Sequence, residues 1–198
     1  MNRSAIVLIV LLLVIVALFR FCNSNPESDA GFKQNPLGIS KNSGTFNQSF
    51  NALLFAYYAL KDAFIAGDTV KINSASIQVQ AGADSLNVNE IQGDSTGMIK
   101  ETARSFAITI SSSAVAIRAE KDLEAGRKEL NVITDALWSL TRTVEYAGQK
   151  IYYHYCPMAF NNQGAYWLSD SRKILNPYFG NKMLKCGEIR DSIDYSQR

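Results

Sequence analysis

The chain has 198 residues, 47% of them hydrophobic, and a formal net charge of +2 with the two signs mixed along its length. That is enough for one ordinary domain plus a targeting segment. No basic run or stripe is present, which argues against nucleic acid as a partner and against an electrostatic grip on an anionic membrane surface.

The N-terminus, MNRSAIVLIVLLLVIVALFRFC, begins with Arg3, continues as an unbroken apolar run from Ala5 to Phe19, and closes with Arg20. A basic start followed by an apolar core is the pattern of an export signal. As a helix the run spans roughly 22 Å, short of a hydrocarbon core of roughly 30 Å, although Phe21 and a snorkelling Arg20 extend it. Residues 1–24 therefore read as a signal peptide or an N-terminal membrane anchor, and both satisfy the pattern. Cys22 also suggests a lipoprotein, but Arg20 and Phe21 stand where small residues precede a lipidated cysteine. Every reading places the rest of the chain outside the cytoplasm, in the periplasm or at the outer face of the inner membrane. Cys156 and Cys186 then remain as an even pair in an oxidising space.

Residues 25–45 are rich in Asn, Ser, Gly and Pro, show no apolar period, and read as a linker. A helix is expected from about Phe46 to Ala66, because Phe50, Leu53, Tyr57, Leu60 and Phe64 alternate at spacings of three and four. Gly67 is its stop and Asp68 the N-cap of the next element. From Thr69 to Leu86 the pattern is double. Ala75, Ile77, Val79 and Ala81 alternate as in a strand, while Ile72, Ala75, Val79 and Leu86 fit a helix. The short connection and the cap favour the helix. A third helix is expected over 98–117, with Ile99, Ala103, Phe106, Ile110 and Ile117 on one side. A fourth is expected over 123–146, with Leu130, Ile133, Leu137, Leu140 and Val144. The connection of about five residues makes these two antiparallel neighbours. The fold class that follows is all-α: an up-down four-helix bundle over 46–147, then a small irregular C-terminal module with short strands over 148–198.

That module differs in composition from the rest. It holds the only histidine, two of the three cysteines and two of the four methionines. KIYYHYC is a β-prone aromatic run, and the remainder is turn-rich. His154, Cys156 and Met158 stand at i, i+2 and i+4, so an extended segment points them to one face. Met183 and Cys186 are three apart, with Gly187 next to bend the chain. Convergence of the two ends would assemble one imidazole, two thiols and two thioethers. Such donors select Cu(I) over hard ions, and the scarcity of carboxylates disfavours Ca²⁺ and Mg²⁺. A Cys156–Cys186 disulfide accounts for the cysteines equally well, worth about 3–4 kcal/mol for a loop of this length. The methionines would then fill gaps, and the two states would alternate with redox conditions. Tyr152, Tyr153, Tyr155, Phe160, Tyr166, Trp167, Tyr178 and Phe179 read as a compact mini-core.

HYCPMAFNNQGAYWLS (154–169) and NPYFGNKMLKCGEI (176–189) resemble the terminal signature of the bacterial domain of unknown function 3347. YYALKDAFIAGD (57–68) and KDLEAGR (121–127) resemble its helical part. The resemblance spans about Phe46 to Ile193. It implies an exported bacterial domain, also found fused to periplasmic adaptor subunits of copper and silver efflux pumps, and hence heavy-metal handling. It carries the metal role onto His154, Cys156, Met158, Met183 and Cys186, and names no reaction. An enzyme is disfavoured: there is no Cys-x-x-Cys for thiol redox chemistry, the single histidine is tied to the cysteine motif, and no carboxylates are paired. The expected function is therefore an envelope copper-binding or copper-transfer protein linked to heavy-metal efflux components, attached to the membrane if its N-terminal segment is retained. The alternative is a non-enzymatic envelope interaction domain whose module is closed by the disulfide.

Overall fold

The computed structural model describes residues 42–196, so the signal or anchor segment, Cys22 and most of the linker lie outside the described residues. Four long helices come first: α1 (Gly44–Ala66), α2 (Thr69–Asp84), α3 (Met98–Ala119) and α4 (Leu123–Thr143). Three strands follow: β1 (Ile151–Cys156), β2 (Ala165–Ser169) and β3 (Glu188–Ile193). The double pattern over 69–86 resolves as a helix, and α1 begins at Gly44, inside the stretch read as linker. Among the described residues no helix is long and apolar enough to cross a membrane.

Each helix end has a local cause. The Ser43 hydroxyl accepts from the Phe46 N–H at 3.1 Å, and Asp68 and Asp122 cap α2 and α4 by accepting from Lys71 N–H and Ala125 N–H at 3.0 and 2.7 Å. Gly67 sits at φ 67°, and its N–H and that of Asp68 turn back onto the last carbonyls of α1. The fourth helix stops at Thr143, three residues earlier than its apolar stripe suggests. Tyr146, beyond its end, is buried with its ring stacked on Phe50 at 4.3 Å.

Consecutive helices pack on one another, α1 on α2, α2 on α3 and α3 on α4, and α4 also carries β2. Leu53, Leu60, Val79, Ile110, Leu130, Leu137 and Leu140 are fully buried on the stripes. The sheet is antiparallel in the order β2-β1-β3. The chain is thus mostly helical with short strands after the helices, as expected, and the all-α label and the irregular character given to the module are corrected: the aromatic run is the central strand of an ordered three-stranded sheet. The separate mini-core is corrected as well. One cluster of buried apolar side chains includes the helix stripes together with Ile151, Trp167, Leu168 and Tyr178. Tyr153 stacks on Trp138 of α4 at 4.3 Å and on Tyr166 at 4.4 Å.

A buried hydroxyl fastens sheet to helices. Tyr57 of α1 shares a 2.8 Å hydrogen bond with Thr134 Oγ1 of α4 and accepts from the Leu168 N–H of β2 at 3.0 Å. Replacing Tyr57 by Phe keeps the ring but orphans a buried amide. The expected cost is about 1–3 kcal/mol, read as a lower urea midpoint with an unchanged slope.

Candidate thiol site and its surroundings

Strand alternation decides which side chains of the module share a face. His154 lies opposite Trp167, and Cys156 opposite Ala165, in the β1–β2 ladder. All four are buried, and His154 meets the Trp167 ring edge-on at 5.2 Å. On the other edge β1 pairs with β3, and the register slips between Tyr153 and His154, so that His154 stands opposite Ile189. This pairing brings the start of β3, and Cys186 just before it, to the end of β1. Gly187 is required there: a side chain would stand 2.6 Å from the Trp167 ring and 2.7 Å from the Tyr155 carbonyl.

The result is a thiol pair. Cys156 Sγ and Cys186 Sγ are 2.9 Å apart and both are free thiols. Cys156 is fully buried and Cys186 half-buried. Burial, and then the contact with Cys156, pushes the Cys186 thiol up to about 11. It is therefore protonated at neutral pH and a poor nucleophile.

The other three expected donors are placed differently. β1 ends at Cys156, so Met158 is not extended and does not continue the alternation; it is 47% exposed on the following turn. That turn is left-handed, with Phe160, Asn161 and Asn162 at φ 52°, 57° and 67°. Such backbone costs roughly 1–2 kcal/mol per residue outside glycine, and Phe160 is held by an edge-on contact with Tyr178 at 5.3 Å. Met183 lies in the turn that leads to Cys186, whose N–H donates to the Met183 carbonyl at 3.0 Å. His154 is fully buried, and neither ring nitrogen makes a hydrogen bond of good geometry. Burial lowers its pKa to about 4, the nearby charge of Lys61 adds to this, and the Ser171 backbone opposes it. Among the described residues no three His, Cys, Asp or Glu side chains lie close enough to hold one ion together. The fold thus brings the two cysteines together and buries His154 where the charge of Lys61 acts on it.

Two residues that hold this arrangement were not read as functional in the sequence. Asn176 is fully buried; its Nδ2 donates to the Cys186 carbonyl at 2.8 Å, and its Oδ1 accepts from Tyr178 N–H at 2.8 Å and Phe179 N–H at 3.3 Å. Its signal, Asn before Pro177, reads locally only as a turn. Lys61 is 5% exposed and sits one residue beyond Leu60 of the α1 stripe, where a lysine reads as solvated.

Compared with known proteins, residues 53–147 match the model of a family described as a protein of unknown function, DUF3347. The match covers helical residues and ends at Ala147, before the thiol-bearing module. No curated protein and no solved structure matches the chain.

Proposed function

Since residues 53–147 place the chain in the family of domain of unknown function 3347, whose description assigns no reaction, we propose from the thiol pair a non-enzymatic envelope protein that binds or transfers Cu(I). Cys156 and Cys186 are its primary donors, Met158 and Met183 on the flanking turns supply thioethers, and His154 joins after a local rearrangement. The observation that carries the reading is the meeting of two thiols 30 residues apart at a 2.9 Å contact. Their chemistry fits a soft ion, since thiolate and thioether favour Cu(I) and a bound metal displaces the thiol protons into solvent. A closed Zn²⁺ site needs four ligands of the His, Cys or carboxylate kind.

The rest of the reading follows from the same chemistry. The basic-apolar N-terminus supports export to the periplasm or retention at the outer face of the inner membrane. The partners suited to such a site are envelope components of heavy-metal efflux that deliver or accept Cu(I). The helical part is read as an up-down four-helix bundle, supported by consecutive packing and the Tyr57–Thr134 bond between its first and last helices. The second reading is a disulfide-closed interaction domain, favoured by the same sulfur contact, which needs only a small approach to become a bond.

A competition titration against a Cu(I) chelator under anaerobic conditions tests the first reading. One Cu(I) per chain is expected, lost on Cys156→Ser and weakened roughly tenfold when Met158 and Met183 are both replaced by Leu, a change that conserves volume. No measurable affinity in the reduced parent overturns it. A purified protein without free thiols, lighter by two hydrogens and indifferent to copper, establishes the disulfide reading.

A further inference from the structure

The seam between α1 and β1 contains buried polar groups that, His154 apart, the thiol site does not use. The Tyr58 hydroxyl, Gln149 Nε2 and both His154 ring nitrogens are buried and make no hydrogen bond of good geometry, the nearest approaches being Tyr58 to Gln149 and His154 to the Ser171 backbone. Such groups cost about 1–3 kcal/mol each when left alone, and native structures supply a partner, often an ion or water. These groups are neighbours. The Gln149 side chain approaches the Tyr58 hydroxyl, Lys61 Nζ lies 5.5 Å from the centre of the Tyr58 ring, and the Lys61 charge is felt at His154.

The surroundings are cationic. The His154 and Tyr152 rings are 6.4 Å apart. Over the Tyr152 ring stand Lys150 Nζ at 5.4 Å and Arg172 Cζ at 5.9 Å. The carboxylates that reach the cluster are Asp62, paired with Lys61 at 3.1 Å but itself 63% exposed, and Asp170, whose charge is felt at Tyr58. Lys61 is different, with only 6% of its side chain exposed, and one exposed partner does not satisfy three ammonium protons. An ammonium, a carboxamide nitrogen, a hydroxyl and an imidazole N–H together give donors in excess of acceptors, in a place where burial strengthens each charge-assisted bond.

We infer that this seam is a binding site for a small oxyanion of the phosphate or carboxylate kind, held by Lys61, Tyr58, Gln149 and His154, with Arg172 at its mouth. The site uses no sulfur and shares only His154 with the copper reading, so its other three groups do not depend on that reading. A chain that has lost its thiols retains it.

Titration of the full chain with inorganic phosphate, at ionic strength held constant with chloride, tests the assignment by calorimetry and by the rise in melting temperature. Saturable binding of one phosphate is expected, with a rise that chloride does not reproduce; acetate serves as the carboxylate probe. Lys61→Met, which keeps the buried stem, is expected to weaken phosphate binding at least about tenfold. Arg172→Gln, at an exposed position, weakens it about threefold or less, and Lys128→Gln on α4 leaves it unchanged. Tyr58→Phe retains the ring and serves if Lys61→Met does not fold; it is expected to weaken binding about tenfold. Absence of saturable binding in the parent, equal stabilisation by chloride, or undiminished affinity in both Lys61→Met and Tyr58→Phe overturns the assignment.

Discussion

Trp167→Ala is expected to lower the stability of the whole described region by about 3–5 kcal/mol, with helical circular dichroism and tryptophan fluorescence lost in one transition. Trp167 is the largest of the fully buried side chains. Its ring touches His154 edge-on, stands 6.2 Å from Tyr178, and would be struck by any side chain at Gly187. The interior there is closely packed, and removing a large side chain leaves a void that neighbours fill only in part. The sheet shares its apolar core with the helices and is bonded to them through Tyr57, so damage in the sheet is transmitted to the helical signal. Two separated transitions, with the helical one at its parental midpoint, would mean that the helices stand alone. The same logic bears on replacing both cysteines by Ser. That change removes no large apolar volume, and the helical spectrum is expected to remain.

The second large effect is a loss of stability on acidification that belongs to one residue. His154 has its pKa lowered from 6.5 to about 4 by burial and by Lys61. The folded state therefore prefers the neutral ring, whereas the unfolded chain takes up a proton at the ordinary value. Stability from this source is complete above pH 6.5, falls as pH drops through the window, and levels off below about 4. Its total is about 3 kcal/mol. Metal-free parent and His154→Leu should thus diverge in their stability-versus-pH curves between pH 6.5 and 4. Asp68 and Asp94 have lowered pKa values through hydrogen bonds from backbone N–H groups, so they act in the same direction only below the carboxylate range. Asp135, raised by burial, acts in the opposite direction. The comparison with His154→Leu isolates the imidazole. Parallel curves for the two proteins across this window would show that the ring reaches water or an acceptor.

The helices were legible because their determinants are local. Phe50, Leu53, Tyr57, Leu60 and Phe64 carry a period of three and four, and Asp68 and Asp122 announce the caps that the structure forms. The meeting of Cys156 with Cys186 was legible because both readings of the pair, a metal site and a disulfide, require it. The three-stranded sheet was harder to read. Which strand pairs with which, and where the ladder slips beside His154, depends on side chains dozens of residues apart. The reading of Met158 as extended failed for a local reason that the sequence does hold: Pro157 is followed within seven residues by Asn161, Asn162 and Gly164, residues that tolerate left-handed backbone. Lys61 escaped notice because helical periodicity reports apolar faces and treats a charge beside the stripe as solvated.

The sheet order also bears on the sequence of events as the chain folds. The central strand β1 finds one partner, β2, across a short turn, but its other edge waits for β3, whose pairing residues come more than thirty positions later. Until then, the hairpin has an open edge and leaves the aromatic run Tyr152–Tyr155 without its second partner. Open edges of that kind recruit foreign strands, and nascent chains are vulnerable while they persist. The sulfur pair has the same timing, since Cys186 immediately precedes the closing strand. Arrival of β3 thus ends the aggregation-exposed interval and brings the two sulfurs together in a single step.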